Sequence, residues 1–403
     1  MKLSIFTPTH DPKYLPELYE SIKDQPFNEW VIVANKNITI PDFGDKRVKI
    51  FHLPNVGDHY VGALKKYACE KCKGDILLEL DHDDLLLDGA IKEVKKAFKD
   101  PEIGFVYSNF AEFEGVFRKR AKYDPEYGWK YRPFYYKGNG LDECLGWEPT
   151  ASAISRIWFA PNHLRAWRKT VYDQIGGHDA SYKVLDDHEL LIRTYLATKM
   201  KHIDKCLYLY RVTGENSWLK NNKEIQDGTL VLYHKYIQDL AIREAELRGL
   251  RKLDLGGRFN GNPKCETVDL KDADVIADLS KPWEMEDNSV GVIIANDFLE
   301  HIADKLHVIK EIYRVLAPGG YLLASTPSTD GRGAFQDPTH TAYYNQNSFY
   351  YYCDKKWAQY IDTPVRFQSM RLYTTDKNED DVSWVIAHLC ALKDNRPPGS
   401  IKI

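Results

Sequence analysis

Hydrophobic and polar positions along the chain follow two alternating rhythms. Short apolar runs bounded by turn residues recur, and between them apolar residues fall at three- and four-residue spacing. Leu3-Ser4-Ile5-Phe6 reads as a first strand, with Thr7-Pro8-Thr9-His10 as the loop after it. Asp11 to Lys23 reads as a helix, because Tyr14, Leu15, Leu18, Tyr19 and Ile22 share one helical face. Trp30 to Ala34 and Val48 to Leu53 are further strands, the latter closed by Asn55-Val56-Gly57. Gly62 to Cys72 is a helix with Ala63, Leu64, Tyr67 and Ala68 on one side. Gly74-Asp75 then turns into an apolar strand, Ile76 to Leu80, that runs straight into Asp81, Asp83 and Asp84. Strands alternating with helices predict an α/β fold with a parallel sheet, whose ligands sit outside the carboxyl ends of the strands. Thr7 to His10, Asn35 and the Asp81 cluster all fall at that edge.

The same rhythm restarts after a long helical stretch. From Asn222 to Arg248, Leu230, Leu232, Tyr233, Tyr236, Ile237, Leu240, Ala241 and Ala245 make an apolar stripe. Arg243, Glu244, Glu246 and Arg248 keep the other face wet. This predicts a first domain over 1–220, a helical linker over 221–249 ending at Gly249, and a second α/β domain over 250–403. Its strands are expected at Arg251 to Leu255, Glu266 to Leu270, Asp274 to Leu279, Val290 to Asn296 and Tyr321 to Ser325. Asp297 opens a helix through Val315, and Leu316 to Gly320 makes a turn. Arg258 to Pro263 is poor helix material, so the usual first crossover helix is expected to be missing. Strands over Val365 to Tyr373 and Val382 to Leu392 finish the sheet, and Arg396 to Ile403 is a loose tail.

Composition narrows the class. With 403 residues, two domains are expected. A hydrophobic share of 43% and a charged share of 28% fit an ordinary globular protein, and the net charge of -4 argues against a general nucleic-acid binder. The 26 tyrosines supply flat surfaces with a polar tip, suited to sugars or bases as well as to cores. No apolar segment precedes the first strand, and no run is long and apolar enough to span a membrane. Together with seven scattered cysteines this predicts a reduced, cytoplasmic protein. Cys69 and Cys72 have no second pair, which argues against zinc there.

Placing Asp81, Asp83 and Asp84 together is costly, because like charges raise each other's pKa unless a cation sits among them. Mg²⁺ or Mn²⁺ takes such oxygen ligands, shared with substrate phosphates. The plainer alternative is a solvated acidic turn with Asp84 capping the next helix.

Phe6-Thr7-Pro8-Thr9, Glu29 to Val33, Gly74-Asp75 and Leu80-Asp81-His82-Asp83-Asp84 resemble, in order, the family 2 glycosyltransferases of the GT-A fold. The resemblance covers about the first 220 residues. It implies a nucleotide-diphospho-sugar donor, with Thr7, Pro8 and Thr9 lining the nucleotide pocket. Asp81 and Asp83 would hold ribose and a metal-bound diphosphate. Downstream, Asp186-Asp187 ahead of His188 to Arg193 looks like the family's second acidic motif, which makes Asp187 the general base and implies inversion at the anomeric carbon. Trp158, His163 and Trp167 are candidates to line the acceptor site. Two departures stand out. Ala34-Asn35-Lys36-Asn37 replaces an Asp-Asp-Gly-Ser segment, leaving Asn35 as a contact to the base. Thr213 stands where a metal-binding His is frequent.

The second domain resembles a class I S-adenosylmethionine methyltransferase of a short, Rossmann-like form. Asp254-Leu255-Gly256-Gly257 looks like its first motif, and Phe298-Leu299-Glu300-His301 and Pro318-Gly319-Gly320 like later ones. The resemblance implies that Asp269 takes the ribose hydroxyls, Asp278 faces the adenine amino group, and Asn296 lies at the cofactor edge. Asp337-Pro338-Thr339-His340, with Tyr343 and Tyr344, looks like a substrate segment. There His340 would either take a sugar hydroxyl proton or make a structural hydrogen bond. The whole reads as a bifunctional enzyme that adds a sugar to a glycan acceptor and O-methylates a sugar. A lipid-linked acceptor would bring it to a membrane surface. The alternatives are a glycosyltransferase with an inert second domain, and a non-catalytic glycan-binding protein.

Overall fold

The computed structural model describes residues 1–35, 38–53, 61–124, 128–214 and 216–393, without the side chain of Ser217. Asn55-Val56-Gly57, Lys36, Asn37 and the tail after Lys393 lie outside the described residues. The chain divides into two compact units, Met1–Ile237 and Gln238–Ile403. The division falls inside one helix, Asn222–Leu247.

The first unit is built on one mixed sheet. Its strands are β1 Leu3–Thr9, β2 Glu29–Ala34, β3 Val48–His52, β4 Ile76–Glu79, β5 Leu85–Leu86, β6 Ile103–Glu114, β7 Arg118–Lys119, β8 Tyr131–Tyr136, β9 Asn139–Cys144, β10 Arg165–Arg168 and β11 Lys199–Arg211. The main order is β3-β2-β1-β4-β10-β6-β11-β5, and β9 adds to β6. Every residue of β1 is buried because both sheet faces are covered. Leu3, Ile5 and Leu78 meet Leu15, Leu18 and Ile22 of the helix Leu15–Ile22 on one face. Phe6, Val31, Val33 and Leu77 meet Leu64, Ala68, Leu190 and Leu191 on the other. Each such aliphatic side chain contributes roughly 1.5–3 kcal/mol on burial.

Three expectations are corrected. Thr7, Pro8 and Thr9 are not loop but the last part of β1, paired with Ile32, Val33 and Ala34 of β2. The first helix begins at Leu15 rather than Asp11, with Pro16 in its opening turn, where a missing N–H costs nothing. The long strands β6 and β11, which pair in parallel, and the hairpin β8–β9 carry no simple alternation and were not expected.

The second unit holds β12 Arg251–Leu255, β13 Glu266–Asp269, β14 Val275–Ile276, β15 Val290–Asn296, β16 Leu316–Pro327, β17 Phe367–Thr374 and β18 Trp384–Ala391. Their order is β14-β13-β12-β15-β16-β18-β17. The first five run parallel, and β18 is antiparallel to both neighbours. Only turns join β12 to β13, so no crossover helix stands there. Two expectations change. Leu316 to Gly320 is already strand, because Leu316 pairs with Val290. The helix expected from Asp297 is a single 3-10 turn, Leu299–His301, followed by Lys305–Val315. Asp304 accepts from the His307 amide and so sets the later start.

Candidate functional site

In the first unit, β4 lies between β1 and β10, so the acidic residues that follow it emerge at the middle of the sheet's edge. The three carboxylates have different fates. Asp84 is fully buried, and its carboxylate accepts from the Tyr208 hydroxyl at 2.8 Å and the Arg211 amide at 2.7 Å. It fastens the acidic loop to β11 and caps no helix. Asp81 and Asp83 stay half-buried and open to the site. Burial raises the Asp81 carboxyl to about 6 against the pull of Lys65, and Glu79 and Asp83 add to the rise. Asp81 carries that penalty beside the second open carboxylate of Asp83, and the pair fits a divalent cation, which would relieve it.

The end of β1 lies beside this loop. His10 meets His82 edge-on with ring centroids 4.9 Å apart. The hydroxyls of β1 face inward, however. Thr7 is fully buried; its hydroxyl donates to the Leu80 carbonyl at 2.7 Å and accepts from Trp30 Nε1 at 2.9 Å. The Thr9 hydroxyl donates to the Asp11 carbonyl at 2.8 Å, and Pro8 is buried in the strand. The expected nucleotide contact of the Thr7 side chain is therefore corrected to a brace under the acidic loop. Asn35 ends β2 nearly buried, and its Oδ1 has no hydrogen-bond partner. Such an acceptor suits an N–H of a base.

The second acidic motif opens the helix Asp186–Ala197. Asp187 accepts from its neighbour's amide, His188 N, at 2.8 Å and from Arg165 Nη1 at 2.8 Å. Arg165, on β10, is fully buried and also reaches to 4.0 Å from Glu79 on β4. Glu79 pairs in turn with Lys65 of the helix Val61–Lys71. A buried relay of alternating charge, Lys65–Glu79–Arg165–Asp187, thus joins the strand that leads to Asp81 with the helix that begins at Asp187. Against burial, Arg165 and Lys65 hold the Asp187 carboxyl well below the usual carboxylate range. Against burial, Lys65 and Arg165 hold Glu79 down to about 2. Burial pushes Asp186 up to about 7 against the pull of Lys65, and its Oδ2, 3.9 Å from His178 Nε2, is buried without a hydrogen bond.

His163 lies between the two motifs. Its ring stacks on Tyr208 at 4.8 Å, and Nε2 is 3.9 Å from Asp81 Oδ2. Burial, helped by Arg165, lowers it to about 3, so it is neutral. Trp167 is corrected from acceptor candidate to core: it is buried, and its Nε1 donates to Thr194 at 3.0 Å. Trp158 remains half-buried, edge-on to Phe159. Thr213 is exposed, and its amide donates to Asn216 Oδ1 at 3.0 Å. Lys65, Glu79 and Arg165 escaped sequence reasoning. The available signals were an acid inside an apolar strand and a lysine next to Leu64 on an apolar helix face.

In the second unit, Gly256, Asp269 and Asn296 end the adjacent strands β12, β13 and β15, and Asp278 follows β14. Gly256 has φ +74°, and a Cβ there would meet Phe298 at 3.1 Å. The bare backbone therefore leaves room at the strand edge. Asp254 is buried, and its Oδ2 accepts from the Asn262 amide at 2.7 Å, which closes the loop through Gly257. Asp269 is half-buried, and Asp278 and Asn296 are exposed. This edge, with two carboxylates on one side of a glycine turn and an amide on the other, fits a nucleoside cofactor. The segment through His340 docks on the turn after β15: the Thr341 and Ala342 amides both donate to the Glu300 carbonyl at 2.9 Å. Tyr343 is exposed, whereas Tyr344 is corrected to core, buried and stacked on Phe349.

Comparison with known proteins agrees with both family resemblances. Residues 4–156 match the family model for glycosyl transferase family 2. Residues 261–324 match that for a methyltransferase domain. Over 78 residues the chain is 36% identical to a probable S-adenosylmethionine-dependent methyltransferase of Mycolicibacterium smegmatis; the match covers 18% of this chain and 28% of that protein. Among solved structures, S. aureus TarS 1-349 aligns over 65% of this chain and 74% of its own at 18% identity, with a TM-score of 0.42. Its complex with UDP-GlcNAc aligns over 62% and 72% at 17% identity, TM-score 0.44. The mannosyltransferase PcManGT of Pyrobaculum calidifontis, with GDP-Man and Mn²⁺, aligns over 59% and 64% at 14% identity, TM-score 0.39. The chain carries a domain that matches glycosyl transferase family 2, followed by one that matches a methyltransferase domain. Among the described residues no helix is long and apolar enough to cross a membrane.

Proposed function

We propose that the chain transfers a sugar from a nucleotide-diphospho-sugar to a glycan acceptor with inversion, and O-methylates a sugar hydroxyl using S-adenosylmethionine. The observation that carries the first half is the fully buried Arg165, which holds Asp187 ionised at 2.8 Å and neighbours Glu79 on the strand leading to Asp81. Asp187 takes the proton from the acceptor hydroxyl as that oxygen bonds to the anomeric carbon. The bond to the diphosphate breaks, and the diphosphate leaves with the electron pair. Asn35 meets the base, and Asp81 and Asp83 would hold Mn²⁺ or Mg²⁺ where the diphosphate binds. When bound, the cation supplies positive charge where the leaving group gains negative charge. Positioning both substrates in line adds much of the remaining rate.

In the second half, Gly256, Gly257, Asp269, Asp278, Asn296 and the braced loop at Asp254 receive the cofactor, which supplies an electrophilic methyl group. Asp269 takes the ribose hydroxyls, and His340 lies on the substrate side. The cytoplasm, with a soluble or lipid-linked glycan acceptor, is the proposed setting.

Calorimetric titration with S-adenosylhomocysteine, beside an Asp269→Ala control, tests the second half. Micromolar binding lost in the control is expected; a folded protein that binds none is left with an inert second domain. For the first half, Asp187→Asn is assayed for transfer from a panel of nucleotide sugars. Undiminished transfer by the variant would refute Asp187 as the base.

A further inference from the structure

The turn after β15 and the segment 337–342 bring together four groups that neither transfer reaction has yet used fully. Glu300 is 2% exposed. Its Oε2 accepts from the Thr326 hydroxyl at 2.8 Å, while Oε1 is buried without any hydrogen-bond partner. His340 Nε2 lies 3.9 Å from that Oε1. His301 stands edge-on to His340, with ring centroids 5.0 Å apart. One ligand atom from each of Glu300, His301 and His340 lies within 4.8 Å of the others. A second carboxylate oxygen, Asp337 Oδ2, is 4.0 Å from His340 Nε2.

The imidazole tautomers are set from behind. His340 Nδ1 faces the Ala334 carbonyl at 3.0 Å, and His301 Nδ1 faces the Thr339 carbonyl at 3.3 Å. With Nδ1–H of His340 donating to its carbonyl, and Nδ1–H of His301 donating to the Thr339 carbonyl and to the Thr339 hydroxyl at 3.2 Å, each ring keeps a lone pair on Nε2. A main-chain acceptor behind a ligating imidazole is the usual support of a metal ligand. The backbone is fixed as well, because the amides of Thr341 and Ala342 bind the Glu300 carbonyl and the Thr341 hydroxyl donates to the His301 carbonyl at 3.1 Å. Left without a cation, the arrangement buries an unpartnered carboxylate oxygen beside two lone pairs, and no donor answers it.

We propose that Glu300, His301 and His340 form a binding site for one divalent transition cation of the zinc class, with Asp337 as the neighbouring carboxylate. Two imidazoles and a carboxylate are the ligands such an ion prefers. Bonds of about 2.0–2.2 Å to a shared ion put ligand atoms roughly 3–4 Å apart, and the observed 3.9 Å between Nε2 and Oε1 falls in that range. The assignment goes beyond methyl transfer and does not depend on it. It makes His340 a ligand rather than a free proton acceptor.

The test uses the full chain, stripped with a chelator and carrying Asp83→Asn to silence the carboxylate pair of the first unit. Zn²⁺ affinity is read by competition with a chromophoric chelator, and Co²⁺ loading by its visible absorption. One Zn²⁺ per chain is expected, with imidazole-type Co²⁺ bands. His340→Gln and Glu300→Gln should each weaken Zn²⁺ by more than about a hundredfold, beyond the roughly 10–100-fold of an outer-shell change. His301→Gln, at an exposed side chain, serves if the buried Glu300 variant does not fold; thermal melts report folding. A folded parent that binds no Zn²⁺, or binding unchanged in both His301→Gln and His340→Gln, overturns the proposal. Because no S-adenosylhomocysteine is present, this result stands apart from the cofactor titration.

Discussion

The two units present carboxylates at the carboxyl edge of a sheet in opposite ways. In the first, Glu79, Arg165 and Lys65 are buried beneath the site, and the acids that face the ligand are tuned by charges already in place. In the second, Asp278 and Asn296 are exposed, and no comparable relay lies under Asp269 among the described residues. In the proposed sugar transfer an acceptor hydroxyl loses its proton beside a departing nucleoside diphosphate, and fixed charges in a low-dielectric setting serve that purpose. A methyl donor brings its own positive charge and leaving group, so an open edge that recognises the nucleoside suffices. The buried arrangement costs tolerance: each of its charges depends on another.

The contrast predicts unequal responses. The largest concerns Arg165→Met, which leaves Glu79 and Asp187 without their shared cation. Loss of one partner of a buried pair costs about 3–5 kcal/mol. Hydrogen exchange on the full chain should show β4 and β10 opening more readily while β15 and β16 keep their protection. Equal protection in both units would mean that the relay does not hold the first one.

Acid comes next. The folded state holds His163 and His178 down to about 3, against an unfolded value near 6.5. Their contribution therefore falls as pH drops from about 6.5 towards 3. Asp187 and Glu79, lowered by their cations, add a loss below about pH 4. Asp81 and Asp186, raised to about 6 and 7, run the other way: their contribution is full below about pH 4 and is lost as pH rises through those values. The two sets oppose each other above about pH 4, and only the losses remain below it. In the second unit Asp254 and Glu300 are raised by burial and add no acid loss, while Asp274, Asp278, Glu311 and Asp337 are lowered by hydrogen bonds at exposed or half-buried positions, where solvent screening keeps their acid loss small. Pepsin between pH 4.5 and 3, read by mass spectrometry, should cut the first unit before the second. Simultaneous cleavage would erase the contrast.

A smaller effect is expected from Asp269→Asn. It keeps one hydrogen bond to a ribose and should weaken S-adenosylhomocysteine by about tenfold, roughly 1.4 kcal/mol, in calorimetry. The smallest is Asp278→Ala on stability. At an exposed edge it should change the stability read from urea unfolding by no more than about 0.5 kcal/mol, far less than Arg165→Met.

These responses trace to what a local reading could and could not see. The alternation of apolar runs and helical faces was enough for two α/β units, for the acidic run after β4, for the glycine turn after β12 and for the missing crossover helix. Each depends on residues close together in the chain, where a period of two or 3.6 records which face is covered. The fate of individual polar groups was not legible. Asp84 and Tyr208, 124 positions apart, meet at 2.8 Å. Thr7 turned inward because β1 runs three residues further than its apolar core implied.

The sequence by itself determined the classes of element, their order and the carboxylates delivered to the sheet edges, since chain connectivity and hydrophobic period are local properties. Tertiary structure alone decided which acid is ionised, which is spent on folding and which is left open to a ligand. Those outcomes depend on burial and on partners from distant strands: Arg165 beside Asp187, Lys65 beside Glu79, and His340 beside Glu300. A pKa or an unpartnered oxygen exists only once such neighbours have been brought together.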